Sequence, residues 1–182
     1  IALLGRTPNR HLDPISLLES IRRIAGRLSV YVDQSSIKVP SQANILYALL
    51  ESVIVPVQAP PGGVFHPKLW LMRFIQPDMD EPPLLRLVIL SRNITFDKSW
   101  DVSLLLEGTP GRRNIAANRE LGEFIGKLPA WGIQRVQEHL QEQAEQFGDE
   151  VRRTPWELPE GVEDIRFLTF LGKGGPAFKR QV

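Results

Sequence analysis

Apolar residues recur at helical spacing through Leu17, Leu18, Ile21, Ile24, Ala25 and Leu28. This predicts an amphipathic helix with Asp13 as N-cap and Pro14 at its first position, weakened at its end by Gly26. The period then changes. Leu28 to Asp33 (LSVYVD) alternates and is rich in β-formers, which predicts a strand. Ser41 can cap a second helix running to Glu51 on Ile45, Leu46, Leu49 and Leu50. Val53 to Gln58 predicts a short strand that Pro56 restricts to an edge or a bulge. After the Pro60-Pro61-Gly62-Gly63 punctuation, Val64 to Ile75 and Leu84 to Ser91 are predicted strands, joined by the polar, proline-rich loop Gln76 to Pro83.

Asp101 to Glu107 predicts another strand, and Gly108 to Gly111 a turn. A helix is predicted from Asn114 to Leu128, stopped by Pro129. A further amphipathic helix is predicted on Ile133, Val136, Leu140, Ala144 and Phe147, with Gly148 as its C-cap. Arg152 to Gly161 is expected as a linker and Ile165 to Leu171 as a strand. The alternation predicts an α/β fold, a mixed β-sheet with helices packed on both faces. The expected organisation is one lobe over residues 1–150, followed over 151–182 by a linker and the start of another segment.

Composition narrows the chemistry. A chain of 182 residues with 42% apolar and 24% charged residues fits one globular domain. The lack of cysteine excludes disulfides, thiolate catalysis and Cys-based zinc sites. No apolar run reaches membrane-spanning length, so no membrane partner is expected and a cytoplasmic location is. A net charge of +1 means that any basic patch must be local. The first residue, Ile1, and the end at Lys179-Arg180-Gln181-Val182 suggest a piece of a longer polypeptide.

Candidate chemistry centres on His66-Pro67-Lys68. Residues two apart on a strand share a face, so His66 and Lys68 project together. Symmetric pairing about the loop Gln76 to Pro83 would make opposed residue numbers sum to 159, with His66 facing Asn93 and Lys68 facing Ser91. An imidazole can attack phosphorus or transfer a proton. An ammonium can hold a phosphate oxygen, and a carboxamide adds neutral donors as charge develops. No acidic ligand set accompanies these residues in sequence, so the expected site holds phosphate without a metal or other cofactor.

The stretch Phe65-His66-Pro67-Lys68-Leu69-Trp70-Leu71, with Val88-Ile89-Leu90-Ser91-Arg92-Asn93-Ile94-Thr95, resembles one H-x-K…N half-motif of the phospholipase D superfamily. The acid common a few residues after the lysine is replaced by Arg73, as in the tyrosyl-DNA phosphodiesterase branch, and Asn93, Asp97 and Trp100 follow that branch's order. Ser91 to Gly108 also resembles bacterial phospholipase-D-like nucleases, some of them defence-associated. The resemblance covers about residues 28 to 108. It implies a phosphohistidine intermediate, catalytic roles for His66, Lys68 and Asn93, and supporting or phosphate-binding roles for Ser91, Arg92 and Asp97. It also implies DNA as the substrate. A second H-x-K motif would come from a longer polypeptide or a homodimer mate, and this chain alone would be inactive without it.

Blander readings exist for each residue. His66 and Lys68 taken alone are a chance pair, and Asp97 is equally a turn cap. Trp70, Phe96 and Trp100 are core residues more often than base-stacking platforms. Arg73, Arg86, Arg92 and Lys98 are either a phosphate-tracking patch or ordinary surface charge. At the level of function, the rivals are an inactive nucleic-acid-binding or assembly lobe and a hydrolase of phospholipids or other small phosphodiesters.

Overall fold

The computed structural model describes residues 14–37, 51–59, 61, 63–76, 81–92 and 100–169. The expected second helix, Ser41 to Glu51, lies outside the described residues except for its last residue, as do Asp13, Asn93, Phe96, Asp97 and Lys98.

Helix α1 spans Pro14–Ala25, and the chain turns at Gly26, with Arg27 N–H donating to the Ile24 carbonyl at 2.8 Å. Strand β1 is Val30–Asp33 and β2 is Ile54–Val57. They pair in parallel, Val30 against Ile54 through Asp33 against Val57. Val55 and Val57 turn inward, while Ile54 is exposed, as period-two alternation requires. Strands β3 (Leu69–Phe74), β4 (Leu84–Leu90) and β5 (Ser103–Gly108) form an antiparallel meander in the order β3-β4-β5. The protein is therefore α/β, but the described strands fall into two small sheets rather than one mixed sheet. Val64 to Lys68, expected as strand, is irregular. Pro67 has no N–H to give to the ladder, and regular pairing begins only at Leu69.

The hairpin register differs from the expected one. Leu69 opposes Ile89 and Leu71 opposes Leu87, so opposed numbers sum to 158. Core burial explains the shift. Leu85, Leu87 and Leu106 are fully buried, and Leu69 and Leu71 pack against the same cluster. Only an even sum puts the odd-numbered leucines of β3 and β4 on one face, and a sum of 159 would turn one set to the other side. Each such leucine contributes about 2 kcal/mol by leaving water, which outweighs any preference of the long loop.

Helix α2 (Arg119–Lys127) follows a 3-10 turn over Ala116–Asn118 and continues through a second, Leu128–Trp131, which absorbs Pro129 at its start. Helix α3 spans Glu138–Arg152. Gly148, expected to end this helix, lies inside it, because there α3 presses against α2: a Cβ at 148 would stand 2.6 Å from the Gly122 carbonyl oxygen. The segment expected as a linker after residue 151 is packed against the body. Val151 and Thr154 are fully buried, Trp156 and Leu158 join the core, and Glu157 N–H donates to the Glu107 carbonyl at 2.7 Å. Residues 165–169, the described part of the last expected strand, are not in a strand. Among the described residues, no helix is long and apolar enough to cross a membrane.

Candidate functional site

Phe65 decides how the H-x-K segment is presented. Its ring is buried, stacked on Phe124 at 6.5 Å between centroids and edge-on to Trp131 at 6.2 Å. Phe65 is held in the core while His66 and Pro67 are exposed and Lys68 is half-buried, so strict strand alternation does not run through this irregular segment. The Lys68 ammonium lies 2.9 Å from His66 Nε2 and 3.1 Å from Nδ1. The convergence expected for these two side chains is thus present. Both line a cavity of about 510 Å³ whose walls include Leu69, Ile89, Phe124, Trp131 and Phe167. Lys68 also lines a second cavity, of about 440 Å³, together with Tyr31, Leu90 and Arg92. Burial pushes the Tyr31 phenol up from its ordinary value.

The observed register removes Ser91 from the place expected for it. Lys68 stands opposite Leu90, whose N–H donates to the Lys68 carbonyl at 2.8 Å. Ser91 instead joins the ends of β4 and β5. Its hydroxyl donates to Asp101 in a short hydrogen bond and accepts from Val102 N–H at 3.0 Å, and its own N–H donates to the Val102 carbonyl at 2.9 Å. Arg92, by contrast, is brought to the cavity that Lys68 lines. Asn93 and Asp97 lie outside the described residues.

Two of the four cations weighed as a phosphate-tracking patch or surface charge are ion-paired instead. Arg73 Nε donates to both carboxylate oxygens of the buried Glu150 at 3.0 Å. Arg86 Nε donates to Glu107 at 2.6 Å, and its guanidinium lies 5.1 Å from the centre of the Phe74 ring. Trp100 is 99% exposed, so the core reading does not hold for it. His139 lies exposed on α3.

Asp33 was not singled out by the sequence reading. It ends β1, and its carboxylate accepts from Ser35 N–H at 2.7 Å and Ser35 Oγ at 2.5 Å. Those two bonds, aided by the Phe65 N–H and the charge of the His66 ring, hold its carboxyl below the usual carboxylate range. The available signal was its position, since groups at the carboxyl ends of strands in open α/β sheets tend to face ligand crevices.

No protein-family model, curated protein or solved structure matches this chain. The resemblance to the phospholipase D superfamily is one of sequence motif alone.

Proposed function

We propose that this chain is one lobe of a metal-independent phosphodiesterase of the phospholipase D type, acting on DNA. The observation that carries the reading is the contact between the Lys68 ammonium and the His66 ring, on a cavity that both side chains line. A phosphodiester entering there would meet a nucleophile and a cation together. One histidine, His66 or its counterpart in a partner lobe, attacks phosphorus through a ring-nitrogen lone pair, Lys68 holds a non-bridging oxygen, and the P–O bond to the leaving group breaks. The leaving oxygen takes its proton from the other histidine. Water, giving its proton back to that second histidine, then bonds to phosphorus as the P–N bond breaks, which releases the phosphate and restores the nucleophile. Asn93 would supply further donors to the phosphate, and Arg92, which shares a cavity with Lys68, would extend the cationic surface along a nucleic-acid backbone. The order of Asn93, Asp97 and Trp100 favours DNA over a lipid.

The test is cleavage of end-labelled single- and double-stranded DNA by the full-length protein beside His66→Ala and Lys68→Ala. The expected result is loss of cleavage in both variants and, in the wild type, an acid-quenched protein carrying phosphorus on histidine. Equal cleavage by His66→Ala would remove His66 from the chemistry. A second reading, a non-catalytic lobe that binds nucleic acid or assembles with others, is favoured by the presence of a single H-x-K in the chain. It predicts salt-dependent DNA binding with no cleavage by any form. Turnover of phospholipid vesicles without DNA cleavage would instead favour the lipid reading.

A further inference from the structure

We propose that the gap between the two sheets is a binding site for an extended peptide segment of another polypeptide. The segment enters as a strand and pairs with β1 on one side and β3 on the other. The inference goes beyond the phosphodiesterase reading and does not depend on it. Among the described residues, β1 pairs only with β2 and β3 only with β4, so each has one open edge. The cavity of about 440 Å³ takes residues 28–32 and 67–71 into its wall without a break. Side chains of an extended chain alternate between faces, so consecutive residues line a space only where it runs along the chain's edge. The cavity thus lies between the open edges of β1 and β3.

The ladders fix which backbone groups look into it. Val30 N–H donates to the Val53 carbonyl, which commits Val30 and Val32 to β2 and turns the N–H and C=O of Ser29 and Tyr31 the other way. Leu90 N–H donates to the Lys68 carbonyl, which commits Lys68 and Trp70 to β4 and turns those of Leu69 and Leu71 to the gap. The two edges also share a core. Tyr31, Leu69 and Leu71 pack on the same apolar cluster, and Phe124, Ile125, Ala144 and Phe147 of α2 and α3 line the cavity with them. An inserted strand would find main-chain partners on both edges and an apolar surface under every second side chain. A nucleotide or an acyl chain offers no such row of alternating donors and acceptors. Lys68 and Arg92 are the charged residues among the described lining, both at the end where β3 begins and β4 has ended. The segment that fits is therefore apolar at alternate positions and carries a carboxylate at that end.

The test uses ¹⁵N-labelled protein and short synthetic peptides of alternating valine and threonine, capped at both ends, with glutamate at either the first or the last position. In the free protein, the amides of Tyr31 and Leu71 should exchange with solvent faster than those of Val32 and Trp70. Saturation with one of the two probes should slow exchange at Ser29, Tyr31, Leu69 and Leu71 about tenfold or more and leave Val32 and Trp70 unchanged. Replacing its glutamate by lysine should weaken binding about threefold. N-methylation separates insertion from addition to a single edge. Methylating either alternate set of probe amides should weaken binding about tenfold or more, because each set faces one of the two strands. A loss from one set alone would overturn the proposal. So would Tyr31 and Leu71 amides as protected in the free protein as those of Val32 and Trp70, which would mean that the two edges are already paired. Absence of binding by both probes at millimolar concentration would overturn it as well.

Discussion

The approach of α2 to α3 allows a prediction whose sign depends on two opposed effects. In a helix interior, alanine is favoured over glycine by about 1 kcal/mol, so Gly148→Ala would stabilise an isolated α3. In the folded protein, the added Cβ would stand 2.6 Å from the Gly122 carbonyl oxygen and 3.1 Å from Gly126 N. Both are backbone atoms of the facing helix, and no side-chain rotation relieves them. Reaching an ordinary contact of 3.4 Å requires the helices to part by about 0.8 Å at this point, the difference between 3.4 and 2.6 Å. Overpacking of this kind costs about 1–3 kcal/mol, and a clash with rigid backbone belongs at the upper end. The net expectation is a loss of about 2 kcal/mol. For a domain of this size it lowers the thermal midpoint by about 4–8 °C. Gly126→Ala, on the same pair of helices, is the control. Its Cβ would meet nothing within 4 Å, so it should gain up to about 1 kcal/mol. Thermal and urea unfolding of the wild type and both variants would show opposite signs. A Gly148→Ala protein as stable as the wild type or more so would refute the reasoning.

Three further outcomes are expected. Arg73→Ala removes the cation from the buried Glu150 carboxylate and leaves it only the Gln146 amide donor at 3.0 Å, and should lose about 3 kcal/mol in urea unfolding, most of it recovered by the double change Arg73→Met with Glu150→Leu; a single-variant loss below about 0.5 kcal/mol would contradict this. Asn118→Ala removes donors to the Val151 and Thr154 carbonyls at 3.0 and 2.6 Å, at the end of α3, and should lose about 2 kcal/mol, since those acceptors are buried. The Arg153 guanidinium, with help from Arg152, holds the Asp149 carboxyl below its ordinary value. Because the folded value is the lower one, this stabilisation is present above the unfolded carboxylate range and fades as pH falls through the folded value. Asp149→Asn should therefore lose under about 1 kcal/mol at pH 7, as a solvent-reached pair does, and that difference should vanish in strong acid; a difference that grows toward low pH would refute it.

Local periodicity was enough to mark most of the described elements. The helix begun by Pro14, the VYVD strand and the three strands of the meander follow from apolar spacing and from where proline and glycine interrupt it. The H-x-K spacing also anticipated that His66 and Lys68 would lie together, and they do, although the segment is irregular rather than a strand. What it misjudged needed a partner to be seen. Gly148 has the chemistry of a helix end, and only the nearness of α2 makes it an interior contact. Arg73 and Arg86 read by default as solvated surface charge, and only the placement of Glu150 and Glu107 makes them ion-pair members.

By itself, then, the sequence determined that an imidazole and an ammonium would be offered close together. The tertiary structure decided what stands around them. A common core for the odd-numbered leucines of β3 and β4 set the pairing sum at 158, which turned Ser91 toward Asp101 and put Leu90 opposite Lys68. The packing of β1 beside the H-x-K segment put Tyr31 and Val32 on one cavity wall with Pro67 and Lys68. Spacing along a chain specifies which residues share a face, but the burial of side chains distant in sequence selects the register and the neighbours, and no local pattern encodes that sum.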